Sequence, residues 1–250
     1  MDDSTRNAAL ELIDGGVSDR ARIVDVLEKF GLAALTFASQ HGIRIVPLLP
    51  GDSYKQRSPA LQRLGVDVDT WPAPPAGLFV VEERTVYLRS RSAMTVAHEF
   101  GHALDCALGG GVYLSSTDPR LKQLFADAKA FVTPYAATGA DEYFAESMRA
   151  FVEVNDHASF WPRATRARLR RTDPRMYAYV ERLFETGFGD GEAICHGAAV
   201  CHGEESRSAR MRGVSAEPWT CGADNHPEVS RGVFAINCPF DSSGSFDTSG

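Results

Sequence analysis

Residues 97–105 contain His98-Glu99-Phe100-Gly101-His102 within a run whose apolar residues recur at helical spacing. On a helix of about 3.6 residues per turn, His102 lies about 40° from His98, one turn along the same face. Ala93, Val96, Phe100, Leu104 and Ala107 fall on the opposite side and make it a core face. Such a helix must be buried along its back while its histidines line a cleft. Two imidazoles one turn apart can bind one metal ion, and the Glu beside the first can act as a base toward water. Asp105 returns to the His face, where it is placed to orient one imidazole from behind.

The rest of the composition narrows the class. With 250 residues, 44% of them hydrophobic and 24% charged, the chain is long enough for a sizeable core in one or two domains. A formal net charge of -7 disfavours nucleic acid as the main partner. No apolar run is long enough to span a bilayer. Met1-Asp2-Asp3-Ser4 is acidic and polar, unlike the start of a secretory signal.

In chain order, Ser4 or Thr5 is expected to open a short helix through Leu12, ended at Gly15-Gly16. Ser18 opens a longer one, with Ile23, Val26, Leu27, Phe30, Ala34 and Phe37 at helical spacing and Gly31 as a weak point. His41-Gly42 closes it, with His41 suited to a C-terminal cap. Residues 43–49 read as a strand, and a short helix is expected around 58–64. The Trp71-Pro72-Ala73-Pro74-Pro75 stretch is extended. Gly77 to Val81 and Thr85 to Leu88 read as a hairpin immediately before the His helix. Its edge is a place for an extended peptide to dock by backbone pairing, or else the hairpin only covers the core. Gly109-Gly110-Gly111 stops the His helix, and Asp118-Pro119 starts another, with Leu121, Leu124, Phe125 and Ala128 facing inward.

A hydrolytic zinc site needs a third protein ligand and one open position. Residues 141–153 supply candidates. On a helical wheel Glu142, Glu146, Arg149 and Glu153 form one stripe, and Phe144, Met148, Phe151 and Val152 form the opposite one. Glu142 is then the metal ligand, and Glu146, one turn on, supports an imidazole. A solvated charge stripe is the alternative.

His98-Glu99-Phe100-Gly101-His102-Ala103-Leu104-Asp105, followed by Glu142-Tyr143-Phe144-Ala145-Glu146, resembles the catalytic domain of anthrax toxin lethal factor and the related Pro-Pro endopeptidases. The resemblance covers roughly Gly77 to Phe188. It implies a third ligand at the first Glu of the second segment, here Glu142, forty residues after His102. It also implies a functional Tyr seven residues before that Glu, which is Tyr135. The implied activity is zinc-dependent endopeptidase action on protein or peptide substrates. Zn²⁺ sits on His98, His102 and Glu142; Glu99 is the base, and Tyr135 stabilises the oxyanion or leaving group. A loop aromatic packed under a turn is the plain alternative for Tyr135.

The expected fold is α+β, helix-rich, with a small mixed or antiparallel sheet over the His helix. Residues 1–188 are expected to form the metallopeptidase domain and residues 189–250 a flexible tail rich in Gly and Ser. Cys195, Cys201, Cys221 and Cys238 in that tail allow free thiols, two disulfides or a second zinc site, and their spacing fits no common finger. Two other readings stand beside the first. One is an intracellular regulatory peptidase of the immunity-repressor-cleaving type, whose second Glu usually lies closer to the His pair. The other is a non-catalytic zinc-stabilised binding module, which would have no need of Glu99. The resembled family favours export and a toxin-like role, whereas the acidic start, unlike a secretory signal, favours the cytoplasm or delivery by a dedicated secretion system. Oligomeric state is left open.

Overall fold

The computed structural model describes residues 3–15, 20–157 and 163–188. It contains helices α1 (Asp3–Glu11), α2 (Arg20–Leu27) and α3 (Gly31–Gln40), strand β1 (Arg44–Pro47), and short helices α4 (Tyr54–Arg57) and α5 (Pro59–Leu64). Strands β2 (Gly77–Val80) and β3 (Thr85–Leu88) precede α6 (Ala93–Leu108). Then come α7 (Leu114–Thr117), α8 (Pro119–Asp127), α9 (Ala140–Phe151), α10 (Arg166–Thr172) and α11 (Pro174–Arg182). This is the α+β, helix-rich class expected.

The sheet is small and mixed, in the order β1-β3-β2. β1 runs parallel to β3, with Arg44 opposite Thr85, and β2 runs antiparallel, with Gly77 opposite Leu88. Alternation of side chains across the strands divides the core in two. Ile45, Phe79, Val86 and Leu88 face the helical core, while Val46, Leu78, Val80 and Tyr87 pack against Tyr54, Leu61 and Val68 on the other side. The hairpin expected at 77–88 is therefore present, and β2 is the edge of the sheet nearest α6. On the opposite edge, β1 is partly covered by a parallel bridge between Ile13 and Ile45.

The long helix expected from residue 18 is divided instead. A 3₁₀ turn spans Glu28–Phe30, and Gly31, at a φ of 79°, interrupts the helical path. The apolar periodicity continues through the break because both halves line the same core. Phe30 meets Phe100 of α6 edge-on, at 4.9 Å between ring centroids. The N-terminal helices thus pack on the back of the His helix. His41 caps α3 as expected, with Nδ1 2.8 Å from the Phe37 carbonyl.

α6 is buried along nearly its whole length. Ser92 caps its N-terminus by accepting from Thr95 N–H. Asp156, from the loop after α9, accepts from the N–H groups of Ala93 and Met94. A carboxylate there satisfies orphan donors and complements the helix dipole. The tail cysteines lie outside the described residues. Among the described residues no helix is long and apolar enough to cross a membrane.

Candidate metal centre

The site is built where α6 crosses α9. A Cβ added at Gly101 would lie 3.0 Å from Ala145 Cα and 3.2 Å from its carbonyl oxygen. That is tighter than an ordinary contact, so a methyl there would press the two backbones apart by a few tenths of an ångström; the glycine brings the His face of α6 against the carboxylate stripe of α9. His98 and His102, each 1% exposed, then meet Glu142, 5% exposed. Glu142 Oε2 is 3.0 Å from His98 Nε2 and 3.3 Å from His102 Nε2. The two Nε2 atoms are 3.1 Å apart.

The carboxylates around this cluster hold it in register. Glu146 Oε1 lies 3.0 Å from His98 Nδ1. Its other oxygen accepts from the Thr133 hydroxyl at 2.6 Å. Arg149, fully buried, clamps both oxygens of Glu146, Nε at 2.8 Å and Nη2 at 2.7 Å. Burial alone would raise the Glu146 pKa, but Arg149 and His98 outweigh it and hold the carboxyl far below its usual range. An ionised carboxylate on Nδ1 requires that nitrogen to carry the proton, so a neutral His98 presents its Nε2 lone pair to the cleft. Tyr135, from a 3₁₀ turn at Tyr135–Ala137, donates its hydroxyl to Glu142 Oε1 at 2.9 Å.

A cation fits this arrangement. Glu142 Oε2 is buried, facing only nitrogens of the two imidazoles. His98, His102 and Glu142 each turn one ligand atom into a common space, with those atoms within 4.8 Å of one another. Two imidazoles and a carboxylate form a donor set that suits zinc. Without a cation, protons take its place. Burial disfavours the His98 imidazolium, yet Glu142 and Glu146 hold its pKa up at about 10. Glu142 is held down at about 2, because the two histidines outweigh its own desolvation.

Glu99 is buried beside the cluster, and desolvation raises its pKa, while the Phe79 backbone amide on β2 favours the ionised form. Its side chain passes so close to β2 that a Cβ at Gly77 would lie 2.5 Å from Glu99 Cγ. Gly77 is thus the clearance that lets this carboxylate reach the cluster.

Asp105 is placed differently from the sequence expectation. Both its oxygens are taken by Ser115, the backbone N–H at 2.8 Å and the hydroxyl at 2.5 Å. It bonds neither imidazole, and His102 Nδ1 has no hydrogen-bond partner. The turn after α6 brings Ser115 back onto Asp105, and spacing along one helix cannot reveal a loop that returns. Glu153, on the expected stripe, lies outside α9 at a positive φ of 58°. Arg149 was legible only as a charged neighbour of Glu146 at i,i+3, a pairing that gives no hint of burial. Thr133 and Gly77 carried no signal in the sequence.

No family model and no curated protein matches the chain. Among solved structures, its fold is similar to that of a Pro-Pro endopeptidase from Paenibacillus alvei. The TM-score is 0.51 at 20% sequence identity, and the match covers 70% of this chain and 99% of that one. At that identity the likeness is one of fold.

Two outcomes follow from the packing. Gly101→Ala should force α6 and α9 apart and weaken zinc binding by about tenfold or more, read by competition with a chromogenic chelator. Unchanged affinity would show that this contact does not set the site. Burial pushes the Asp105 pKa up from 3.8 to about 7. The protonated form is favoured in the fold, so wild-type stability falls as pH rises through that window. The advantage of Asp105→Asn in thermal midpoint, measured in chelator, should therefore grow between about pH 4 and 7 and level off above. A wild type that gains on the variant as pH rises would mean that Asp105 works as a charged partner of His102.

Proposed function

We propose that this chain is a zinc-dependent endopeptidase acting on protein or peptide substrates, with His98, His102 and Glu142 as ligands and Glu99 as general base. The observation that carries the reading is the convergence of those three donors beside a buried carboxylate that no structural site would need. Among the described residues the cluster offers three donors, which fits a site with an open position better than a closed structural one. When bound, zinc supplies a Lewis acid that makes water nucleophilic near neutral pH and polarises a carbonyl.

The chain's own residues divide the remaining work. Glu146, braced by Arg149 and Thr133, keeps the His98 proton on Nδ1 and its Nε2 free. Glu99, desolvated and aimed by its passage over Gly77, takes the proton from the attacking water and returns it to the leaving amine. Tyr135 offers its hydroxyl to the tetrahedral oxyanion or the leaving group. Its bond to Glu142 keeps the phenol beside the cluster until substrate arrives. The edge strand β2 is where an extended peptide would pair, directly alongside Glu99. On this reading residues 1–188 form the peptidase unit, and residues 189–250 a tail. The fold likeness to a Pro-Pro endopeptidase makes proline-containing peptides the first substrates to try.

The test is digestion of a peptide library with zinc and with chelator. Cleavage that requires zinc is expected. Glu99→Gln should retain the metal and lose activity by about 10²–10⁴-fold. Metal-independent cleavage, or full activity in Glu99→Gln, would overturn the reading.

A further inference from the structure

A phenol on the other side of the cluster is not used by this mechanism. Tyr113 lies between the end of α6 and the start of α7. Its ring is only partly buried, yet its hydroxyl oxygen is sealed from solvent and has no hydrogen-bond partner. The ring sits 5.7 Å from the His102 ring and 6.3 Å from Phe79 of β2. Tyr135 holds the mirror position, 5.4 Å from the His98 ring. Two phenols thus flank two imidazoles. One hydroxyl is engaged by Glu142, and the other is left without an acceptor.

A buried hydroxyl with no partner costs stability, and such costs persist where function needs the group. The chemistry of the missing partner can be read from its surroundings. A phenol is protonated at neutral pH, so the group serves as a donor. Asp105, the tightly held carboxylate nearby, is already saturated by Ser115. Phe79, against which the ring lies, belongs to the edge strand where an extended chain would run, and such a chain brings main-chain carbonyls at regular spacing.

We propose that Tyr113 is a substrate-binding residue whose hydroxyl donates to a main-chain carbonyl of the peptide held along β2, on the His102 side of the cluster. This rests on the endopeptidase reading. It adds a contact outside His98, Glu99, His102, Tyr135 and Glu142.

Tyr113→Phe removes the oxygen and keeps the ring, and two measurements test it. In chelator, the variant should unfold at the same temperature as wild type or higher, because an unpaired donor has been deleted. A lower midpoint would show that the hydroxyl serves the fold and would overturn the proposal. With zinc loaded, two probes are compared: acetohydroxamate, which carries no peptide, and the peptidyl hydroxamate acetyl-Pro-Leu-Gly-NHOH. Acetohydroxamate should bind wild type and variant equally, and the peptidyl probe should bind the variant about 3- to 10-fold more weakly. Equal affinity of both proteins for the peptidyl probe overturns the role of Tyr113 while leaving the peptidase reading intact. A wild type that binds neither probe overturns the peptidase reading, and this role with it.

Discussion

The close passage of α6 over α9 at Gly101 and Ala145 is the constraint on which the site depends. Each helix by itself is an ordinary amphipathic element with an apolar back. The chemistry arises only because the polar faces meet with no side chain to hold them apart. Everything else secures that crossing. The N-terminal helices pack behind α6 through Phe30 and Phe100, and Asp156 ties the start of α6 to the chain leaving α9. The aromatic back of α9 keys into the same core through Phe144 and Phe151.

Such a crossing buries charge, and the charges explain the arrangement. Glu142 and Glu146 are both held ionised in the interior. Arg149 neutralises one of them. The second needs another positive partner, which without metal is a proton on His98 and with metal is the cation itself. Removing either carboxylate's partner would leave a buried charge uncompensated, a large penalty. The cluster is therefore prepared for a cation before one arrives. Glu99 feels the same balance: burial opposes its ionised form, and His98, His102 and the Phe79 amide favour it.

Much of this was legible in the sequence, and the reason is periodicity. His98, Glu99 and His102 fall at fixed spacing on one helix, and Glu142 and Glu146 on another, so helical geometry alone predicts which side chains share a face. The hairpin at 77–88 was legible because β-branched and apolar runs flank a charged turn. Features that depend on where the chain returns were not legible. Asp105 looked like an imidazole partner because the return of Ser115 is invisible along the helix. Arg149 was placed on the carboxylate stripe, but its clamp on Glu146 was not legible because charge patterns do not report burial. Gly31 divides a helix whose apolar stripe runs on unbroken, since both halves face the same core. Tyr113 carried no signal, because an unpaired hydroxyl shows only once its surroundings are known.

The crossing of the two helices and the donor set they carry define a single location, between His98, His102 and Glu142. A crystal of the full chain grown with zinc, with an anomalous difference map at the zinc edge, examines that location directly. The expected result is a peak about 2.0–2.2 Å from His98 Nε2, His102 Nε2 and a Glu142 oxygen, with no fourth side chain on it. Zinc bound elsewhere with nothing between these three residues, or a fourth side chain closing the site, would contradict it.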